Sequence, residues 1–145
     1  MSNSAALPPK LEKIVADFDL CEGREKLELL LEYAQRFPPF PGHLSRPGWL
    51  EEVPECMTPV QMAAETLDGR LYFYFDVPTE APTVRGYSCL IMEGLNGSTA
   101  EQVLQIPSEF YLQMGLQNVL TAQRLNGLAA ILAHVKRRAF DEMKQ

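Results

Sequence analysis

Apolar residues recur at helical spacing towards both ends of this chain and alternate at strand spacing only near its middle. Leu11, Ile14 and Val15 predict a short first helix after Pro8 and Pro9, with residues 1–8 expected to fray. A second helix is predicted over Glu22–Phe37, with Leu27, Leu30, Leu31 and Ala34 as its buried stripe. It must stop at Phe37-Pro38-Pro39-Phe40-Pro41-Gly42, because a residue before proline is pushed out of the α region. The stretch to Pro54 reads as a loop anchored by Trp49 and Leu50.

The central alternation can be read in register. Asp68-Gly69 is a two-residue turn signal, so Leu67 faces Arg70. Stepping back places Thr66/Leu71, Ala64/Phe73, Met62/Phe75 and Val60/Val77 on one face. The other carries Glu65/Tyr72, Ala63/Tyr74 and Gln61/Asp76. An apolar face opposite a mixed polar one predicts helices covering one side only. Two strands alone are marginal, so a third is expected at Leu50–Val53.

Beyond the sheet, Thr79 is the expected cap of a helix with Pro82 in its first turn. Its stripe is Val84, Tyr87, Ser88, Ile91 and Leu95, and Asn96-Gly97 is its stop. Ser98-Thr99-Ala100-Glu101 reads as a capping box for a short helix ending before Pro107. A helical turn at Ser108–Met114 follows, then a last helix from about Ala122 that buries Leu125, Leu128, Leu132 and Val135. This order predicts an α+β fold with segregated parts: two N-terminal helices, a small three-stranded antiparallel sheet, then several C-terminal helices on one face. Residues 1–145 are expected to form a single domain.

A net charge of −6 argues against nucleic acid as a partner, since phosphate binding favours a basic surface. No apolar run is long enough to cross a bilayer, and the N-terminus has no signal-peptide pattern, so a cytoplasmic location is expected. Three widely spaced cysteines, Cys21, Cys56 and Cys89, do not read as a disulfide framework or a zinc site. With two histidines, His43 and His134, no metal site is expected.

Cys56 lies in Glu52-Val53-Pro54-Glu55-Cys56-Met57-Thr58-Pro59-Val60, where neither proline donates to a ladder. The hairpin register, counted back, turns it to the apolar face. It is either a small buried apolar residue or a shielded reactive thiol. Glu55 beside it favours the neutral thiol. Arg124, in the first turn of the last helix, opposes the helix dipole, so a carboxylate or anionic sulfur is expected to face it unless its head simply lies in water. Arg85, early in its own helix, reads the same way. Cys21 and Cys89 read as structural, and His134 with Lys136-Arg137-Arg138 as a solvated face. Pro38-Pro39-Phe40-Pro41 reads as a helix stop and rigid loop.

The string Leu29-Leu30-Leu31-Glu32-Tyr33-Ala34-Gln35-Arg36-Phe37-Pro38-Pro39-Phe40-Pro41 resembles the helix and proline turn of the SufE family of sulfur-acceptor proteins. Further along, Cys56 before a hairpin, Asp68-Gly69 and Val84-Arg85-Gly86 match in order. So do Leu95-Asn96-Gly97-Ser98-Thr99-Ala100-Glu101-Gln102-Val103-Leu104 and Arg124-Leu125-Asn126-Gly127-Leu128. The resemblance spans roughly residues 10–140 and implies a SufE/NifU-like fold.

It also implies a partner rather than a self-contained enzyme. Cys56 would accept persulfide sulfur from a pyridoxal-phosphate (PLP) cysteine desulfurase, stimulate that enzyme, and pass the sulfur on to an iron–sulfur scaffold. Arg124 matches a family arginine near the interaction surface. The chain itself would bind no cofactor, PLP belonging to the desulfurase, and would be a monomer or weak homodimer. Glu55 stands where the family usually has glycine, and Pro59 also departs from the pattern, both stiffening the loop. Two other readings stay open: a NifU-like scaffold using all three cysteines, and an interaction protein with an inert thiol.

Overall fold

Two glycines, Gly86 and Gly94, set how closely the helices of this protein approach one another. A computed structural model describes residues 7–44, 51–52 and 59–144, the glutamates at 51 and 52 by their backbone alone. Among these, the order is α1 (Pro9–Leu20), α2 (Arg24–Gln35), a 3-10 turn at Gly42–Leu44, β1 (Glu51–Glu52), β2 (Gln61–Leu67) and β3 (Arg70–Asp76). Then come α3 (Pro82–Leu95), α4 (Ala100–Leu104), 3-10 turns at Phe110–Met114 and Leu116–Asn118, and α5 (Ala122–Met143). The α+β architecture with a three-stranded antiparallel sheet, order β1-β2-β3, is the one the hydrophobic pattern predicts.

Helix α3 is buried on nearly every side: the stripe from Val84 to Leu95 is joined by Gly86, Cys89, Leu90, Met92 and Gly94. A helix apolar all round belongs in the interior. A Cβ at Gly86 would stand 2.2 Å from the Leu30 carbonyl oxygen of α2. One at Gly94 would stand 2.8 Å from Leu11 Cδ1 of α1. Both neighbours therefore approach α3 as only glycine allows.

That approach also rotates α2 from its expected stripe. Lys26, Leu30 and Tyr33 are buried, whereas Leu27, Leu31 and Ala34 are half-buried. Buried Lys26 is tolerated because its Nζ donates to Phe18 O, 2.7 Å away, near the C-terminus of α1 where a cation suits the dipole. The helix is shorter than Glu22–Phe37 because Gly23, with φ +54°, precedes its first residue. Fraying does not reach residue 7: Leu7 is buried in the core, and Pro8 caps α1. Residues 1–6, Trp49, Leu50 and Val53 lie outside the described residues.

The hairpin register holds pair by pair, from Leu67↔Arg70 to Gln61↔Asp76. Asp68 and Gly69 both take positive φ, as this tight turn requires. Met62, Ala64, Leu71, Phe73 and Phe75 pack in the core under the helices. The opposite face is not bare. Leu44 and Ala63 are buried outside the main core cluster, and His43 Nε2 lies 2.8 Å from Glu65 Oε2.

Strand β3 is an edge, and the outward backbone groups of Leu71 and Phe73 are paired without another strand. Leu71 N donates to Ser98 O and Gly97 N to Leu71 O. Asn96 works as a strand substitute: its Oδ1 accepts from Phe73 N at 2.8 Å and its Nδ2 donates to Phe73 O at 3.1 Å. Edges left open invite association, so this end of α3 both stops the helix and closes the sheet.

Two cap assignments and one burial assignment move. The residue before α3 is Ala81, since Pro82 takes the first helical position, and the Thr79 hydroxyl turns to Glu80 instead. The capping box of α4 is Thr99–Gln102, one residue later than expected, because buried Ser98 is held by its backbone against Leu71 and Leu95. His134 is buried, not solvated: it follows Ile131 by three positions and shares the inner face of α5. Leu125 is half-buried against the core, and Lys136 Nζ donates to Ile106 O at 2.7 Å.

These contacts set the cost of filling each glycine. Gly86→Ala meets backbone, so it is expected to cost about 3 kcal/mol, lowering Tm by roughly 10 °C. Gly94→Ala meets the Leu11 methyl first, with Leu11 Cβ and Cα behind it at 3.1 and 3.2 Å, and is expected to cost less, about 1 kcal/mol. Thermal melts of the pair check the order, and equal costs would refute it.

Glu142 makes a pH-dependent contribution. The Thr66 hydroxyl and Arg138 Nε donate to its two oxygens, and the Thr66 bond above all holds the carboxyl below its ordinary range. A depressed folded value means stability that is full above the unfolded value of about 4.3 and lost as pH falls. Glu142→Gln should therefore cost about 1 kcal/mol at neutral pH, with the difference shrinking in melts near pH 3.

Candidate functional site

Cys56 lies outside the described residues. Its described neighbours along the chain are Glu52, which pairs with Gln61 in the sheet, and Pro59. Both belong to the end of the hairpin opposite the Asp68-Gly69 turn, so that end is where the candidate site is built.

The ladder closes there for a simple reason. Beyond Gln61↔Asp76 come the buried pair Val60 and Val77, and beyond those Pro59 and Pro78, neither of which has an N–H to donate. Pro59, Gln61, Asp76 and Pro78 line a shallow cleft of about 170 Å³. The sequence signal for it lies in the matched prolines, but the register must be extended past the ladder for it to be seen.

Two arginines flank this end. Arg124, third residue of α5, is exposed, and its Nη1 donates to the Thr83 hydroxyl at 3.0 Å. The bond joins the first turn of α5 to the first turn of α3, whose N-terminus has no side-chain cap. Of the two sequence readings, an anionic partner or a head in water, the exposed guanidinium fits the second, and the partner described for it is a hydroxyl. Thr121 accepts from Arg124 N and caps α5. Arg85 is not a surface arginine with its head in water. Its Nη1 donates to Val77 O at 2.6 Å, and its guanidinium lies 4.3 Å from the centre of the Phe37 ring.

The other two thiols sit elsewhere. Cys21 follows α1, half-buried, with its Sγ directed at Asp17 O. Cys89 is buried in α3, and its thiol donates towards Glu93 Oε2 at 3.5 Å and Arg36 O at 3.8 Å. Burial, reinforced by the Glu93 charge, pushes its pKa up to about 12. Glu93 itself is held in a two-point pair with Arg36, at 2.9 and 3.1 Å. Cys89 is therefore a neutral thiol at any physiological pH and a poor nucleophile. Among the described residues no three His, Cys, Asp or Glu side chains group as metal ligands, and no helix is long and apolar enough to cross a membrane.

Comparison with known proteins adds independent findings. Residues 12–139 match the SufE family model, described as an Fe-S metabolism associated domain. The chain is 39% identical over 139 residues to an uncharacterized SufE-like protein of Mycobacterium tuberculosis, covering 95% of this chain and 96% of that one. It is 26% identical over 135 residues to the cysteine desulfuration protein SufE of Plasmodium vivax, covering 90% of this chain and 52% of that protein. The solution structure of a hypothetical protein from Thermus thermophilus superposes with a TM-score of 0.84 at 37% identity, covering 96% of this chain and 99% of the other.

The environment of Cys89 predicts its reactivity. In the native protein at about pH 8, iodoacetamide should leave Cys89 unlabelled, and unfolding should expose it to labelling. Peptide mass spectrometry reads both states; rapid native labelling at Cys89 would contradict its assigned surroundings.

Proposed function

The chain belongs to the SufE family, and from that premise we propose that it is a sulfur acceptor: Cys56 takes sulfur from the persulfide of a PLP-dependent cysteine desulfurase and hands it on to iron–sulfur cluster assembly. The observation that carries this reading is the family match over residues 12–139, which brackets Cys56. The relative in Plasmodium vivax is named for cysteine desulfuration, in keeping with the same role.

The chemistry is thiol–persulfide exchange. The Cys56 thiolate attacks the outer sulfur of the partner's persulfide, the donor S–S bond breaks, and the donor cysteine leaves as its thiolate. Cys56 becomes the persulfide, and the exchange needs no added oxidant or reductant. PLP acts earlier, on the desulfurase, and this chain supplies the acceptor and its surroundings.

Three features support that assignment of roles. The neutral, buried Cys89 is unsuited to attack, which leaves its sulfur out of competition. Three residues of extended chain span at most about 11 Å, which tethers Cys56 to the rim formed by Pro59. Arg124, joined to Thr83 near the same end of the fold, offers an exposed cation to an acidic partner surface. A cluster scaffold on all three cysteines is less well supported, because Cys89 would have to give up its place against Glu93.

Mixing the protein with a cysteine desulfurase and cysteine should add one sulfur atom at Cys56, read by intact and peptide mass spectrometry. Cys56→Ser should abolish the gain and the stimulation of desulfurase turnover, while Cys21→Ser and Cys89→Ser keep both. Stimulation that survives Cys56→Ser would favour an interaction protein with an inert thiol.

A further inference from the structure

Arg85 is not among the described residues that line the cleft, yet it joins three pieces of the fold that meet behind it. Its Nη1 holds Val77 O at 2.6 Å, at the point where β3 gives way to Pro78. Its guanidinium lies over the ring of Phe37, where α2 gives way to the proline turn. Its backbone belongs to the first turn of α3. Val77 O projects from the outer edge of β3, on the side where Leu71 and Phe73 are also paired from outside the sheet.

Val77 is one step past the Gln61↔Asp76 pair and faces Val60 in that register; both are fully buried. Pro59 and Pro78 follow and line the cleft. Since no backbone hydrogen bond can continue the ladder across that proline step, the position of the rim depends on what grips Val77 from the other side. Arginine suits this place. A planar guanidinium donates in its plane to a carbonyl while its face rests on an aromatic ring, which a lysine ammonium does only in part.

We infer that Arg85 is a positioning residue for sulfur transfer, clamping the Val77–Pro78 end of the sheet and so holding in place the rim at Pro59, from which the chain leads to Cys56. The inference rests on the sulfur-acceptor reading and adds a residue to it. Arg85 acts through Val77 and Val60.

Single-turnover transfer from a persulfide-loaded cysteine desulfurase tests it. Arg85→Met keeps an apolar stem but loses the donor and the cation, and its saturating transfer rate should fall roughly tenfold. The half-saturating concentration should shift less than about twofold, as for a residue that positions rather than docks. Arg85→Lys should restore only part of the rate. Phe37→Leu, which leaves the bond to Val77 in place, should lower it about threefold.

An Arg85→Met rate equal to wild type overturns the inference, as does a raised half-saturation with an unchanged rate, which marks a docking contact instead. Should Arg85→Met fail to fold by circular dichroism, Phe37→Leu decides: an unchanged rate overturns the inference. Wild type that takes up no sulfur sinks the acceptor reading and this one with it. Wild type that loads, beside Arg85→Met that loads as fast, sinks only the positioning role.

Discussion

The closeness of α2 to α3 at Gly86 is the constraint on which the rest of the architecture depends. With 2.2 Å between a notional Cβ and the Leu30 carbonyl, there is no room for a side chain and no flexible atom to yield. The distance between the two helices fixes which residues of α2 face inward, so Leu30 and Tyr33 enter the core and Lys26 must find a carbonyl to bury against. Gly94 repeats the arrangement against α1 with more tolerance, since a leucine methyl can move where a backbone oxygen cannot. A central helix seated this tightly can serve as a reference for both of its ends.

Those ends divide the work of closing a small sheet. Three strands with a two-residue third member expose much edge for little ladder. At the C-terminal end of α3, Asn96 pairs Phe73 through its amide and Gly97 pairs Leu71 through its backbone. At the N-terminal end, Arg85 takes Val77. The edge strand is thus held at both of its ends from one helix and the residues that stop it, which couples the rim near Pro59 to the best-packed element of the fold.

Much of this can be read from the residues alone, because the signals involved are local. Asp68-Gly69 admits one tight turn, and alternation then carries the register through to Gln61 and Asp76 without tertiary information. The errors fall where a nonlocal contact outweighs a local preference. Periodicity centres α2 on Leu27 and Leu31, and the glycine contact turns it; the capping signal at Ser98 is real but displaced one residue by backbone pairing to Leu71. Charge places His134 in water and leaves Arg85 there as one of two readings, because charge is, on average, outside. Each lies on a face whose burial is decided by elements distant in sequence. The proposed role of Cys56 as acceptor comes from the order of motifs, not from periodicity, and Cys56 itself lies outside the described residues.

On the proposed carrier role, the environment of Cys89 explains why the rigid part of the fold matters as much as the accepting thiol. A protein that receives sulfur must offer one thiol and withhold the others, or the sulfur is lost to exchange within the chain. Withholding is achieved at Cys89 by burial beside a carboxylate that is itself fixed by Arg36, so the thiol stays protonated and unreachable. Offering calls for the reverse, a position outside regular pairing. Prolines at 59 and 78 end the ladder just where the chain leads to Cys56, and Arg85 grips the carbonyl next to one of them. The same absence of an N–H that stops the sheet therefore makes the rim dependent on a side chain for its rigidity, which is why the proposed control of sulfur delivery falls on an arginine of the central helix.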